Sequence, residues 1–204
     1  MSPSLSIVSD RRMVTELLTG PFDLTRPDPS RIRLENLALA LGHICRWHGQ
    51  VRRFYSDAEH MLLVASLVPP EVQLHAALHD APEAFTNDIP TPVKHWIGYE
   101  RVKELEGTLL ACIYEALGIT LPTPEEQDIV HQADLAARDI EHAVLRADPP
   151  GEDSRILCLP CEKASRIWQR TVELLLAERF DRALAPYYEF MERGVNASRD
   201  AFSS

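Results

Sequence analysis

The sequence predicts an all-helical single domain, and three observations carry that prediction. Apolar residues step by threes and fours along most of the chain. Strand signals, meaning period-two runs rich in β-branched and aromatic residues, are nearly missing. At 204 residues the chain has the size of one domain with a sizeable core.

The first thirty residues are polar and Pro-containing, and read as an N-terminal arm partly wrapping a compact helical bundle over residues 31–204. One short hairpin is expected near Gly49, with Val51 to Tyr55 as its second arm. Met61, Val64, Ala65 and Val68 then mark a helix that follows Ser56-Asp57-Ala58-Glu59, where Ser56 and Glu59 fit a capping box. An alanine-rich apolar helix runs from Val72 to Leu78. Thr91-Pro92 reads as the N-cap and first residue of another. Val102, Leu105, Leu109, Ile113 and Ala116 give a long helix that Gly118 stops. Thr123, Pro124 and Glu126 supply cap, first position and capping box for a helix with Val130, Ala133, Ala137, Ile140 and Val144 on its stripe. A helix is expected from Cys161 to Ala177, and another from Asp181 to Glu192. Breaks fall at Pro69-Pro70, at Pro90 and Pro92, and at Asp148-Pro149-Pro150-Gly151; none is long enough to be a domain linker.

A hydrophobic content of 45% with 25% charged residues is that of a soluble globular protein. No apolar run is long enough to span a bilayer, and Met1 to Val14 carries no apolar signal-peptide core. A cytoplasmic protein with no membrane partner is therefore expected. The net charge of −10 argues against nucleic acid as a partner, which would need a basic face. It leaves room for a phosphorylated small substrate, because a metal and a few cations can dominate a cleft. Cys158 and Cys161 form a C-x-x-C, but no second pair completes a zinc ribbon, so they read as half-buried helix thiols.

The chemistry gathers around His79-Asp80. His60 lies upstream and Asp134 downstream, with acids at Glu83 and Asp88. Imidazoles mixed with carboxylates suit a divalent metal of intermediate hardness, and such a metal makes water a nucleophile at neutral pH. Asp134 sits at the edge of an apolar stripe, where either a metal or a buried arginine would satisfy it. His60 taken alone fits a core histidine as well as a ligand. Three helices contributing His60, His79-Asp80 and Asp134 match the way bundles build metal sites. Glu83, three or four residues past His79 and Asp80, is close enough for acid/base work; its alternative is a first-turn helix acid. Arg46, Arg52, Arg53 and Lys94 are the cations available for phosphate oxygens. Trp47 would cover a sugar or base, or else lie in the core.

These residues form a recognisable series: Arg46-Trp47, Ser56-Asp57-Ala58-Glu59-His60, His79-Asp80-Ala81-Pro82-Glu83, Asn87-Asp88-Ile89-Pro90-Thr91-Pro92-Val93-Lys94, and Gln132-Ala133-Asp134. From about Leu34 to about Val144 the chain resembles HD-superfamily phosphohydrolases. It is most similar to the bacterial 5′-deoxynucleotidases, and it also resembles compact phage and bacterial relatives, among them phage dATP triphosphohydrolases. The resemblance implies one divalent ion (Mn, Co, Fe, Zn or Mg) held by His60, His79, Asp80 and Asp134. It implies that Glu83 and Asp88 position the attacking water and handle its proton. It gives Arg46, Trp47 and Lys94 to the substrate, with Trp47 crowding a 2′-hydroxyl, and it implies a homodimer. The expected reaction is hydrolysis of a deoxynucleoside 5′-monophosphate to nucleoside and phosphate. The alternative is release of triphosphate from a dNTP, with Arg52 and Arg53 holding the longer chain. A di-iron HD oxygenase would draw further ligands from His95 and His131, and a non-catalytic nucleotide binder would have lost a ligand or Glu83.

Overall fold

A computed structural model describes residues 14–192, and it is mostly helical. The first part of the expected arm and the last residues of the expected domain lie outside the described residues. The arm's remainder holds an element that the sequence reading did not give. Strands β1 (Val14–Leu17) and β2 (Gly20–Asp23) form an antiparallel hairpin in which Val14 faces Asp23 and Leu17 faces Gly20. Gly20 closes the turn with φ +101°, a conformation that costs a glycine little. The hairpin is anchored by Phe22, which is buried and stacks on Phe85 with centroids 4.9 Å apart.

Helix α1 (Leu34–His43) follows. It too was absent from the reading, although Leu34, Leu37, Ala38 and Leu41 carry the required spacing. No hairpin forms near Gly49. Residues Arg46–Gly49 make a tight turn through left-handed Trp47 and His48, and the loop closes through a single antiparallel bridge between Cys45 and Ser56.

Helix α2 (Asp57–Ser66) is the hub, with every residue from Asp57 to Ala65 buried. It packs against α1, α3 (Gln73–Leu78), α7 (Pro124–Glu141) and α8 (Cys161–Leu176). A helix covered on all sides has no room for solvated residues, so each polar group on it must find a partner inside. Ser56 caps it by accepting from the Glu59 N–H at 3.2 Å. The reciprocal half of the expected capping box is missing. The Glu59 carboxylate instead accepts the N–H groups of Leu157, Cys158 and Leu159 at 2.7–2.8 Å. Three charge-assisted bonds outweigh one return bond to a cap.

Between α3 and α7 come α4 (Glu83–Thr86), α5 (Thr91–Ile97) and α6 (Tyr99–Leu117). Pro90 rather than Thr91 caps α5, one residue earlier than expected. Gly118 ends α6 at φ +70°, and Thr123 with Glu126 forms the complete capping box of α7, both as read from sequence. Beyond Glu141 the α7 path continues as one π turn, His142–Arg146. The expected last helix is broken: α9 (Phe180–Ala183) stops at Leu184, and residues 185–192 are helical again. Trp168 on α8 is fully buried and donates its Nε1–H to the Ala77 carbonyl at 2.8 Å, pinning α8 to the end of α3 that carries His79.

Candidate metal centre

Four pieces of chain meet at the open end of the α2–α3–α7 layer. His60 comes from the middle of α2, and His79-Asp80 from the turn that ends α3. Glu83 opens α4, and Asp134 lies on α7. His60, His79 and Asp134 each offer one ligand atom, and these atoms lie within 4.8 Å of one another.

The second nitrogen of each imidazole is already committed. His60 Nδ1 lies 2.6 Å from Glu141 Oε1, and His79 Nδ1 donates to the Ala76 carbonyl at 2.8 Å. Such bonds fix ring orientation and leave Nε2 free to ligate. Both Nε2 atoms are buried and have no properly angled hydrogen-bond partner among the described residues. Around them stand Asp134 Oδ1, 3.2 Å from His60 Nε2 and 3.9 Å from His79 Nε2, and Asp80 Oδ2, 3.5 and 3.1 Å away. Orphaned imidazole nitrogens facing two carboxylates are the donor set a borderline divalent cation takes. Asp134 has no arginine partner among the described residues, so the arginine alternative is not what the structure forms.

Electrostatics follow from that crowding. Burial opposes a charged His60, as does Arg46, yet Glu141, Asp134 and Asp80 hold its pKa well above the ordinary value. Burial likewise opposes a charged His79, and Asp80 overrides it upward. Burial would raise Asp80; His79 and His60 hold it well below the usual carboxylate range. Asp134 is lowered too, by His60 against its own burial. Glu83 goes the other way: burial, then Asp80, Asp57 and Asp88, push it well above 4.5. A raised carboxyl beside depressed ones is the separation that lets one group hold a proton.

Arg46 is threaded into the same centre, with its side chain only 11% exposed. Its guanidinium lies 3.5 Å from Asp80, 3.7 Å from Glu141, 3.9 Å from Asp57 and 4.0 Å from Asp88. Trp47 and His48 both adopt left-handed backbone, at φ 58° and 52°. Non-glycine residues reach that region at a cost, and the neighbours hold them there. Asp88 Oδ2 accepts the Trp47 backbone N–H at 3.0 Å, and Glu141 Oε2 accepts the indole N–H at 3.3 Å. Asp88 thus anchors the turn as well as facing Arg46. Lys94 borders the centre, where Glu83 and Asp80 feel its charge, but its Nζ is paired with Glu106 at 2.8 Å.

Four residues at the centre escaped the sequence reading as site groups. Glu141 lies seven residues after Asp134, on the same helix face, which is the signal that would have found it. Asp57 was noted only as part of the Ser56-Asp57-Ala58-Glu59-His60 string. Arg146 places its guanidinium 4.6 Å from the Trp47 ring, while His142 meets the ring edge-on at 6.1 Å; both stand on the π turn. Other expected groups lie elsewhere. Arg52 pairs with Asp148 at 3.6 Å and bonds Ala147, and Arg53 lines a separate cleft with Leu157 to Glu162. His95 is exposed and stacked on Tyr99 at 4.7 Å, and His131 is exposed.

Comparison with known proteins places the chain in a family without assigning it a task. It is 35% identical over 162 residues to the uncharacterized protein RCAP_rcc00048 of Rhodobacter capsulatus, an alignment covering 74% of this chain and 82% of that protein. The chain belongs to the same family as that protein. It is also 42% identical over 74 residues to the uncharacterized protein YfdR of Escherichia coli, covering 36% of this chain and 42% of that protein's length. No family model matches.

Proposed function

We propose that this protein is a metal-dependent phosphohydrolase of the HD type, acting on deoxynucleoside 5′-monophosphates. The observation that carries the reading is the pair of buried Nε2 atoms, His60 and His79, turned toward Asp134 and Asp80 with both Nδ1 atoms tied off. These four side chains would hold one divalent ion. When bound, it supplies an acidified water and polarisation of a phosphoryl oxygen.

The chain's own residues do the rest. Glu83, with its raised pKa, holds a proton and returns it to the departing nucleoside oxygen. Arg46 Nε is buried without a partner and is the donor assigned to the phosphate. Asp88 and Glu141 clamp the strained Trp47 turn, so that the indole stands as a fixed wall for the sugar. Five other acids (Asp57, Asp80, Asp88, Asp134 and Glu141) stand with Glu83 at this centre, so a phosphate enters only once cationic charge offsets them.

Monophosphate is favoured over triphosphate because Arg52 is tied to Asp148 and Arg53 lines another cleft. Arg146 beside Trp47 keeps the dNTP reading as the second choice. The oxygenase reading loses its extra ligands, since His95 and His131 are both exposed. A homodimer is proposed through α5, whose Val93, Trp96 and Ile97 form an exposed apolar stripe at helical spacing.

The test is a product assay. Chelated protein is reloaded with Mn²⁺, Co²⁺, Fe²⁺, Zn²⁺ or Mg²⁺ and offered dNMPs, NMPs and dNTPs. Phosphate released from dNMPs by the metal-loaded protein alone is the expected result. Triphosphate released from dNTPs, with dNMPs untouched, would select the second reading; no hydrolysis across the panel would overturn both.

A further inference from the structure

Arg146 is a cation beside the centre that no acid holds. Arg46 faces four carboxylates, and Lys94 is paired with Glu106 at 2.8 Å. The Arg146 side chain is exposed and makes no hydrogen bond or ion pair among the described residues. What it meets is the Trp47 ring, whose centroid lies 4.6 Å from the guanidinium carbon. The backbone puts it there. Val144 and Leu145 of the π turn are buried, the Leu145 carbonyl accepts the Arg52 N–H at 3.1 Å, and the Ala143 carbonyl accepts the Gly151 N–H at 2.8 Å. Turns of this kind recur at functional sites. The indole is fixed independently, by Asp88 at its backbone N–H and by Glu141 at its Nε1–H. Glu141 also bonds His60 Nδ1, so the N–H edge of the ring is one side chain away from a candidate ligand. With a phosphate at the ion and a sugar against Trp47, the base is the part of a nucleotide left for the groups that border the indole. Of these, His142 meets the ring edge-on and Arg146 lies over its face. A guanidinium is planar and weakly hydrated, and a nucleobase stacks on it as on an aromatic ring.

We propose that Arg146 is a substrate-binding residue whose guanidinium, held over Trp47, is the platform on which the nucleobase stacks. This rests on the nucleotide reading of the centre, and not on the reaction that follows binding. Every base has a π face, so the ligand class is a deoxynucleotide of any base rather than one picked out by hydrogen bonds.

The experiment measures, by titration calorimetry on protein reloaded with Mn²⁺, the Kd of two phosphonates. One is the dAMP analogue with a methylene in place of the ester oxygen; the other is the same deoxyribose phosphonate without its base. Neither can be hydrolysed, so the result stands apart from turnover, which the product assay decides. The wild type should prefer the base-bearing compound by roughly tenfold or more, the scale of one stacked base. Arg146→Ala should lose most of that preference. Arg146→Lys keeps the charge without the plane, and should resemble Arg146→Ala. The dCMP analogue should repeat the pattern. A wild type without the preference, or a preference unchanged in Arg146→Ala, would overturn the proposal. So would an equal loss on both compounds, which a merely structural role would give. Full recovery in Arg146→Lys would assign the residue to phosphate charge instead, and tighter binding in Arg146→Ala would make it a cover over the indole; either overturns the platform. If the preference holds and no dNMP is hydrolysed, the reaction falls and the platform stands. If the wild type binds neither compound, the platform and the nucleotide reading fall together.

Discussion

At the scale of single residues, the centre is a set of groups whose second contacts decide their first. His60 and His79 differ from ordinary core histidines because Glu141 and the Ala76 carbonyl occupy their Nδ1 atoms. Trp47 differs from a packing tryptophan because two carboxylates hold both its backbone and its indole N–H. On the proposed reading such a wall would select by excluding a hydroxyl, and removing it should relax the choice rather than abolish turnover. Trp47→Ala is therefore expected to raise relative activity on ribonucleotides while weakening binding, and Arg46→Ala to cost both sugars alike. Comparing kcat/KM for dAMP and AMP in the wild type and both variants checks this; an unchanged deoxy-to-ribo ratio in Trp47→Ala would make the tryptophan a packing residue. The grouping of His60, His79 and Asp134 was legible in sequence because His79-Asp80 is so compact a signal. Glu141 was missed, although its spacing of seven from Asp134 put it on the same helix face; only its bonds to His60 and Trp47 show what it does there. Asp57 was given no role of its own in the sequence, and it proves to be a buried acid in the first turn of α2.

At the scale of elements, legibility tracked local rules. Caps and stops that act within a few residues, such as Thr123-x-x-Glu126 and Gly118, were read correctly. The Glu59 capping box failed because a loop about a hundred residues away offered three amides, a competitor no local pattern reveals. The β1–β2 hairpin is set by Phe22 reaching the core and stacking on Phe85, again a tertiary fact. Helix α1 is held to α8 by a close approach. A Cβ built on Gly42 would lie 2.0 Å from Ser165 Oγ and 2.8 Å from the Cys161 carbonyl oxygen. The hydroxyl can rotate away, but the backbone oxygen cannot. Gly42→Ala should thus destabilise the protein by about 1–3 kcal/mol, the usual cost of overpacking. Adding Ser165→Ala should recover only part of it. Denaturant unfolding of the single and double variants measures both; a Gly42→Ala protein as stable as wild type would mean that α1 and α8 separate freely.

At the scale of the whole molecule, α2 organises everything else. A fully buried helix carries Asp57, Glu59 and His60 inward; α7 brings Glu141 to His60, and the loop before α8 brings three amides to Glu59. Its outward counterpart is α5, where no residue is buried and Trp96 is 88% exposed. If that stripe joins two copies, Trp96→Glu should turn a dimer into a monomer in light scattering at micromolar concentration, leaving metal content unchanged. A wild type that is already monomeric there would remove the dimer from the account.

The central claim is that His60, His79, Asp80 and Asp134 hold one divalent ion. It is tested most directly by counting metal per chain in purified wild type and in Asp134→Ala, after reloading both from the chelated state. Asp134→Ala opens the cluster while leaving the His60–Glu141 and His79–Ala76 contacts in place. The account predicts close to one ion per chain in the wild type and almost none in the variant under the same conditions. Wild-type metal content retained in a folded Asp134→Ala protein, or no metal bound by the wild type at all, would contradict it.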